Sequence, residues 1–374
     1  VESTETPFAA GATKRPPKLK GGLPIVGHTM AFVKDTIGLL QRTYDECGRV
    51  GRFKLFGKDM ILFTGPEAHE ALFRLPDDVL SPNAAYKMMV PVFGEGVAYG
   101  AEPARMAEQM HMLYPALRNA RMRTYTEIVA RETLDIVESW ADRGEIEATA
   151  FFGMLTNFTS SSCLLGTEFR NEMSEEFAKV YYVLERGIVA WGYIHPYLPI
   201  PAYRRRDRAR ARLGEMVSEI VEKRRRSGYR GEDFLQTLMD STYSDGSKLS
   251  DHEITGMLVA AMFAGHHTSS VTTAWTLIEL LRHPRFLEEV KDEIRARYAG
   301  SENYDFQSLR DLEKTEGAVK EALRIHPPLF ILLRAALQDC EILGYRVKKG
   351  NWVAVSPMVA HRDGTVFENP LEFD

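Results

Sequence analysis

Cysteine is scarce in this 374-residue chain. Cys47, Cys163 and Cys340 are the only three, at unrelated spacings. That excludes a disulfide framework and a paired zinc-ligand motif, and it suits a reducing compartment. Long hydrophobic runs are missing too: the longest, GMLVAAMFAG at 256–265, ends in histidines and falls far short of the roughly 18 residues a membrane span needs. There is no cationic excess either. Lys and Arg number 47 against 52 Asp and Glu, a formal net charge of −5, which offers nothing to a nucleic-acid backbone. Neither an internal repeat nor a low-complexity tract occurs. Residues 1–22 lack the charged-then-apolar order of a secretory signal and read as a flexible leader over 1–20 with a hinge at Pro16 and Pro17. The chain opens on Val1, so residues upstream are expected. What remains, 44% hydrophobic and 26% charged, is the composition of a soluble globular enzyme, expected in the cytoplasm, with peripheral membrane contact left open.

The pattern beyond the leader is mainly α. Residues 34–47 and 66–75 read as helices, and 52–65 as a hairpin around Gly57-Lys58. Residues 86–100, YKMMVPVFGEGVAYG, read as an aromatic- and methionine-rich loop. From about 104 to 300 the pattern is helical, broken at Gly144, Gly166, 195–203 and Gly228–Gly231. Leu213, Met216, Val217, Ile220 and Val221 form one helical stripe. The Arg-rich run 204–212, with Lys223–Arg226, is expected to be a solvated helix face. A late β pair is expected over 344–357, turning at Gly350-Asn351.

One helix stands out. Ser250 and Glu253 make a capping-box start and Pro284 a stop, enclosing a helix about 45–50 Å long at about 1.5 Å per residue. Its centre, FAGHHTSS, gives up bulk at Ala264 and Gly265 and places His266, His267 and Thr268 inside. Glycine in a helix interior costs about 1 kcal/mol relative to Ala, and a mid-helix Thr bonds back to a carbonyl one turn earlier. The combination implies an indentation against which something bulky lies. Adjacent helix positions point about 100° apart, so His266 and His267 cannot chelate one metal ion as an i, i+4 pair does. One ring facing the indentation suits proton transfer instead. Downstream, Glu321 and Arg324 share a helix face at i and i+3, just before Pro327-Pro328.

Three pieces, AGHHT (264–268), EALR (321–324) and FENPLEF (367–373), occur in the order and spacing of the cytochrome P-450 superfamily, which the chain resembles from about residue 20 onward. Within it the chain most resembles the bacterial type of sterol 14α-demethylase. His267 precedes the Thr where most members carry an acid, and Tyr86 to Val97 is similar to that branch's loop over the substrate, as are LERG (184–187) and YLPIP (197–201).

The resemblance implies a fold with one large helical domain over 21–374, a long central helix and small β-sheets. It implies a haem-thiolate monooxygenase that removes a sterol's 14α-methyl group in three O2-dependent oxidations. Haem b and O2 would be the cofactors, with electrons from NADPH passing through a ferredoxin or reductase. Ala264 and Gly265 would let the porphyrin approach the helix. Thr268 would hydrogen-bond the dioxygen, and His267 would deliver protons with Glu185 as its partner. Tyr86, His111 and Arg334 would bond the haem propionates, although Ala107 stands where many members have a Lys four residues before the His. Met88, Met89, Phe93, Val97, Tyr99, Phe263 and Leu329 would touch the substrate, core packing being their alternative role. Glu321 and Arg324 would be structural. The axial Cys is expected beyond Asp374, since none of the three cysteines has the F-x-x-G-x-x-x-C context. Two other readings stay open: a P-450 acting on a fatty acid or terpenoid, and a haemless sterol-binding fragment.

Overall fold

The computed structural model describes residues 14–142, 144–299 and 304–374 and divides into two compact units. One unit runs up to Ala85 and adds Phe330–Asp363. It holds seven short strands: β1 (Val50–Leu55), β2 (Lys58–Phe63), β3 (Leu80–Ser81), β4 (Leu332–Ala336), β5 (Cys340–Ile342), β6 (Tyr345–Val347) and β7 (Trp352–Val355). The expected hairpin is present, β1 lying antiparallel to β2 with Leu55 opposite Lys58. The expected late pair is not. β6 pairs with β5, Glu341 opposite Arg346, while β7 crosses into the larger sheet between β2 and β4, parallel to β2 with Ile61 opposite Val353. All four β7 residues are buried. A central strand of this kind buries more apolar surface than a two-stranded ribbon could offer.

The expected leader also needs its boundary moved. Residues 1–13 lie outside the described residues. Lys14 bridges to Tyr345, Arg52 N–H donates to Pro17 O, Leu19 N–H donates to Arg52 O, and Leu19 is fully buried. Backbone pairing plus one buried leucine anchors this segment to β1.

The other unit, Tyr86–Leu329 with Gly364–Asp374, is helical. Its central helix runs from Asp251 to Arg282, started by the expected capping box: Ser250 accepts from Glu253 N–H, and Glu253 accepts from Ser250 N–H. A cap of this kind contributes about 1 kcal/mol. Pro284 ends this helix and also opens the next, Pro284–Tyr298, where its missing N–H is harmless. The central helix packs against helices Ala148–Leu164, Pro201–Ser227 and Glu313–Ile325. The stripe Leu213, Met216, Val217, Ile220 and Val221 is buried as the spacing predicts.

The Arg-rich run is the expected solvated face at Arg204, Arg205, Arg208, Lys223, Arg225 and Arg226, with two exceptions. Arg206 and Arg224 are almost fully buried. Arg224 donates to both Asp233 oxygens at 2.8 and 2.7 Å and to Leu165 O, while Arg206 donates to Asp207 and to Pro196 O. Each cation is admitted because its fork is satisfied in place.

Candidate active site

Burial along the central helix breaks where the sequence loses bulk. Ile254, Met257, Leu258, Val259 and Met262 are buried, whereas Ala264, His267 and Ser269 are exposed, in mid-helix. A Cβ added to Gly265 would meet nothing closer than Ser160 Oγ at 4.0 Å. The space beside this face is a cavity of about 470 Å3, with Ala261, Ala264, Gly265 and Ser269 on the helix side and Leu113 and Leu164 among its other walls. Thr268, one turn on from Ala264, donates its hydroxyl to the Ala264 carbonyl, the back-bond expected of a mid-helix Thr.

Cys163 also lines the cavity. Burial, assisted by the charge of Glu132, pushes its thiol up to about 12. A thiol held neutral in this way is not a thiolate ligand, which agrees with its sequence context.

The two histidines diverge as helix geometry requires, and the expected partnership changes hands. Glu185 lies 4.0 Å from His266 Nε2, not beside His267. His266 is turned toward Thr156, Tyr181 and Glu185. The Thr156 hydroxyl donates to Phe152 O at 2.7 Å, so His266 Nδ1–H donates to Thr156 Oγ1 at 3.0 Å, leaving Nε2 as a lone pair toward Glu185. The edge of Tyr181 meets the His266 ring at 5.8 Å. Burial, together with the charge of His267, lowers His266 to about 4. Burial raises Glu185 to about 7 against a weak opposing pull from the Tyr181 hydroxyl; Glu185 Oε1 and the Tyr181 hydroxyl have no full hydrogen-bond partner among the described residues. Both groups are therefore held toward their neutral forms, so this is not an ion pair.

That assignment has a measurable consequence. An unfolded Glu titrates near about 4.3 and an unfolded His near about 6.5. The folded state thus holds the Glu185 proton up to about pH 7, and ionising it costs stability as pH rises. Below about pH 6.5 the depressed His266 opposes this trend, so the Glu185 effect is cleanest above that value. Stability should fall between pH 6.5 and 8, and Glu185→Gln should remove the fall. Urea midpoints of both proteins at the two pH values check it; an equal fall in the variant would refute the assignment.

Six of the seven expected substrate residues come together. Phe93 lies 6.1 Å from Tyr99 and 6.0 Å from Phe263; Met89 and Val97 are buried with them, and Met88 packs against the same cluster. Leu329, 55% exposed, stands outside it. Tyr86 stacks on Tyr99 at 5.0 Å. His111 is exposed, and its Nδ1–H donates to Ala107 O at 2.7 Å. Arg334 belongs to the other unit, on β4, where it donates to Leu333 O and lies 5.5 Å from the Phe73 ring.

The sequence reading missed Gln109, which is fully buried. Its carbonyl accepts from Ala98 N–H, and its amide donates to Gly96 O and the Tyr243 hydroxyl, pinning the loop that carries Val97. A glutamine on the inner face of helix Pro103–Leu113 was the available signal. Tyr181 was missed too, although it precedes Glu185 by one helical turn.

A family model described as Cytochrome P450 matches residues 16–374. The chain belongs to the cytochrome P450 family. This P450 is 43% identical over 367 residues to a sterol 14alpha-demethylase of Mycolicibacterium vanbaalenii, covering 97% of this chain and 81% of that protein. It is 41% identical to the sterol 14alpha-demethylase of Mycobacterium tuberculosis, covering 96% and 80%. It is also 35% identical to the sterol 14-demethylase of Arabidopsis thaliana, covering 98% and 77%. Retinoic acid bound cyanobacterial CYP120A1 shares its fold at a TM-score of 0.84 and 21% identity, covering 97% of this chain and 82% of that one. The relatives place this P450 in the sterol 14α-demethylase branch, as the motifs led us to expect.

A P450 works with haem iron and O2 and takes electrons from a redox partner. The residues of this one fit the group. A flat, apolar macrocycle needs a wall with no projecting side chains, and Ala261, Ala264 and Gly265 present such a wall to open space.

Proposed function

We propose that this P450 removes the 14α-methyl group of a sterol in three successive oxidations and releases it as formic acid. The observation that carries the reading is the Ala264–Gly265 step, which opens the middle of the central helix onto a cavity, in a chain 43% identical to a sterol 14alpha-demethylase. Haem, when bound, would supply reductive activation of dioxygen. Ala264 and Gly265 admit the ring. Thr268 holds a hydroxyl one turn away, bonded to Ala264 O, which can rotate to donate into the site. His267 stands exposed beside it and offers an imidazole through which protons can pass. The neutral His266–Glu185 contact orients the helix. Tyr86 and His111 serve the propionates, with Arg334 given the same role by the resemblance alone. Phe93, Tyr99, Phe263, Met88, Met89 and Val97 supply an apolar, aromatic surface suited to a rigid polycyclic hydrocarbon.

Residues 21–374 act as one P450 domain in this reading. No helix among the described residues is long and apolar enough to cross a membrane, and we assign the enzyme to the cytoplasm, with a ferredoxin or reductase passing on electrons from NADPH.

A titration of the haem-loaded full-length protein with a 14α-methyl sterol tests the proposal. The expected result is a low-to-high spin shift at micromolar sterol, followed, with reductant and O2, by one formate per sterol consumed. A spin shift with a fatty acid or terpenoid but none with the sterol would move the assignment to another hydrophobic substrate.

A further inference from the structure

We infer that Arg210 is a positioning residue of the substrate site, latching the Val90–Gly96 loop onto the first turns of the central helix and so fixing the aromatic wall that a substrate packs against. The inference rests on the functional reading above for the identity of that wall.

Arg210 sits one turn after Arg206 on helix Pro201–Ser227. A single nitrogen, Nη2, donates to Phe93 O at 3.0 Å and to His252 O at 3.4 Å, so one cation bridges the loop and the helix. Alongside it, His252 Nε2–H donates to Glu95 O at 3.1 Å. The loop backbone touches the helix where glycines allow it. Gly94 has φ +117°, and a Cβ there would come within 2.6 Å of His252 Nε2 and 3.3 Å of Arg210 Nη2. A Cβ on Gly256 would run into the Phe93 carbonyl itself.

Arg210 differs from its buried neighbours in having no carboxylate partner among the described residues. Arg206 has Asp207 and Arg224 has Asp233. The acids near Arg210 are engaged elsewhere: Asp207 with Arg206, Asp251 with Arg225, and Glu95 with the Tyr197 hydroxyl. Its Nε is buried with no acceptor among the described residues, and burial lowers its affinity for a proton. A desolvated cation held only by carbonyl dipoles is a poor stabiliser. What it does hold is informative, because the carbonyl it grips belongs to the residue whose ring meets Tyr99 and Phe263. Outside the loop lies an open cleft of about 510 Å3 lined by Val90, Pro91, Gly94, Arg210 and His252, which leaves room for the loop to relax once released.

The test uses the haem-loaded full chain as wild type, Arg210→Met and Arg210→Lys. Met keeps the length of the side chain and removes both bonds; Lys keeps a charged donor. Amide hydrogen exchange over Glu95–Val97, without sterol, should be at least tenfold faster in R210M. The KM for a 14α-methyl sterol should rise about tenfold while kcat stays within about twofold, and R210K should recover most of both. Unchanged loop exchange in a folded R210M overturns the inference, whatever happens to KM. So does faster exchange with an unchanged KM. Should R210M fail to fold, Gly94→Ala, which wedges the loop away from Arg210, must give the same rise in KM, and an unchanged KM there overturns the inference. A wild type that ignores the sterol would refute the functional reading, yet the exchange measurement would still judge the latch.

Discussion

Arg324→Ala should cost about 3 kcal/mol of stability, the low end of the range for removing one partner of a buried charged pair, because this pair is mostly but not fully buried. Arg324 is the most heavily engaged side chain in the C-terminal part of the helical unit. Its Nε and Nη2 donate to both oxygens of Glu321 at 2.8 and 2.6 Å. Nη1 reaches Pro370 O at 2.6 Å and Nη2 reaches Glu372 O at 2.7 Å, so the same fork that pairs on its own helix ties down the segment 364–374. The Phe367 ring lies 5.1 Å from the guanidinium, and Asp374 N–H donates to Glu321 Oε1. Truncation leaves a carboxylate, only 16% exposed as a side chain, facing carbonyl oxygens. Arg324→Lys should recover little, since an ammonium cannot bridge the carboxylate bidentately and still reach two carbonyls.

The pH dependence supplies a second reading of the same variant. Burial works against ionisation of Glu321, but the hydrogen bonds from Arg324 and Asp374 N–H, with the Arg324 charge, hold its carboxyl below the usual range. A depressed acid contributes stability above its unfolded pKa of about 4.3 and loses it as pH falls through the lower folded value. R324A should therefore show a flatter acid limb. Urea denaturation at pH 7 and pH 3.5 measures both effects, and a loss under about 1 kcal/mol at pH 7 would show the pair to be ornamental.

What the sequence made legible here is what local geometry decides. The capping box at Ser250 and Glu253, the stripe from Leu213 to Val221 and the Glu321–Arg324 pair all depend on spacings of three or four residues, and all stand as read. Strand partners do not. Tyr345–Val347 and Trp352–Val355 look like a ribbon because a glycine turn joins them, but β7 finds better burial between β2 and β4, almost three hundred residues away from the former. Charge misleads in a similar way. Arg206, Arg210 and Arg224 carry the same side chain as their exposed neighbours, and only the phase of their helix against the loop and the segment near Asp233 turns them inward. The choice between His266 and His267 as the ring beside Glu185 likewise needs the rotation of the central helix about its axis, which adjacency in sequence leaves open.

The rotation of that helix also underlies the last expectation, that Ala264→Leu abolishes haem binding while leaving the fold intact. In most mid-helix positions such a substitution overpacks a core and costs about 1–3 kcal/mol. Ala264 is exposed, and the cavity beside it has room for three further carbons. Leu is nearly as good a helix former as Ala, so the helix has no reason to break. The thermal midpoint of the haem-free chain should shift by no more than a few degrees. A ring lying flat against Ala261, Ala264 and Gly265, by contrast, would meet an isobutyl group in its own plane of contact. Haem per chain should fall below about a tenth of wild type, measured as Soret absorbance after reconstitution with excess haemin. Ser269→Leu, five residues along the same cavity wall, gives a graded comparison with a smaller loss. Full haem uptake by A264L would mean that the alanine–glycine step faces something other than the porphyrin, and the proposed site would lose its foundation.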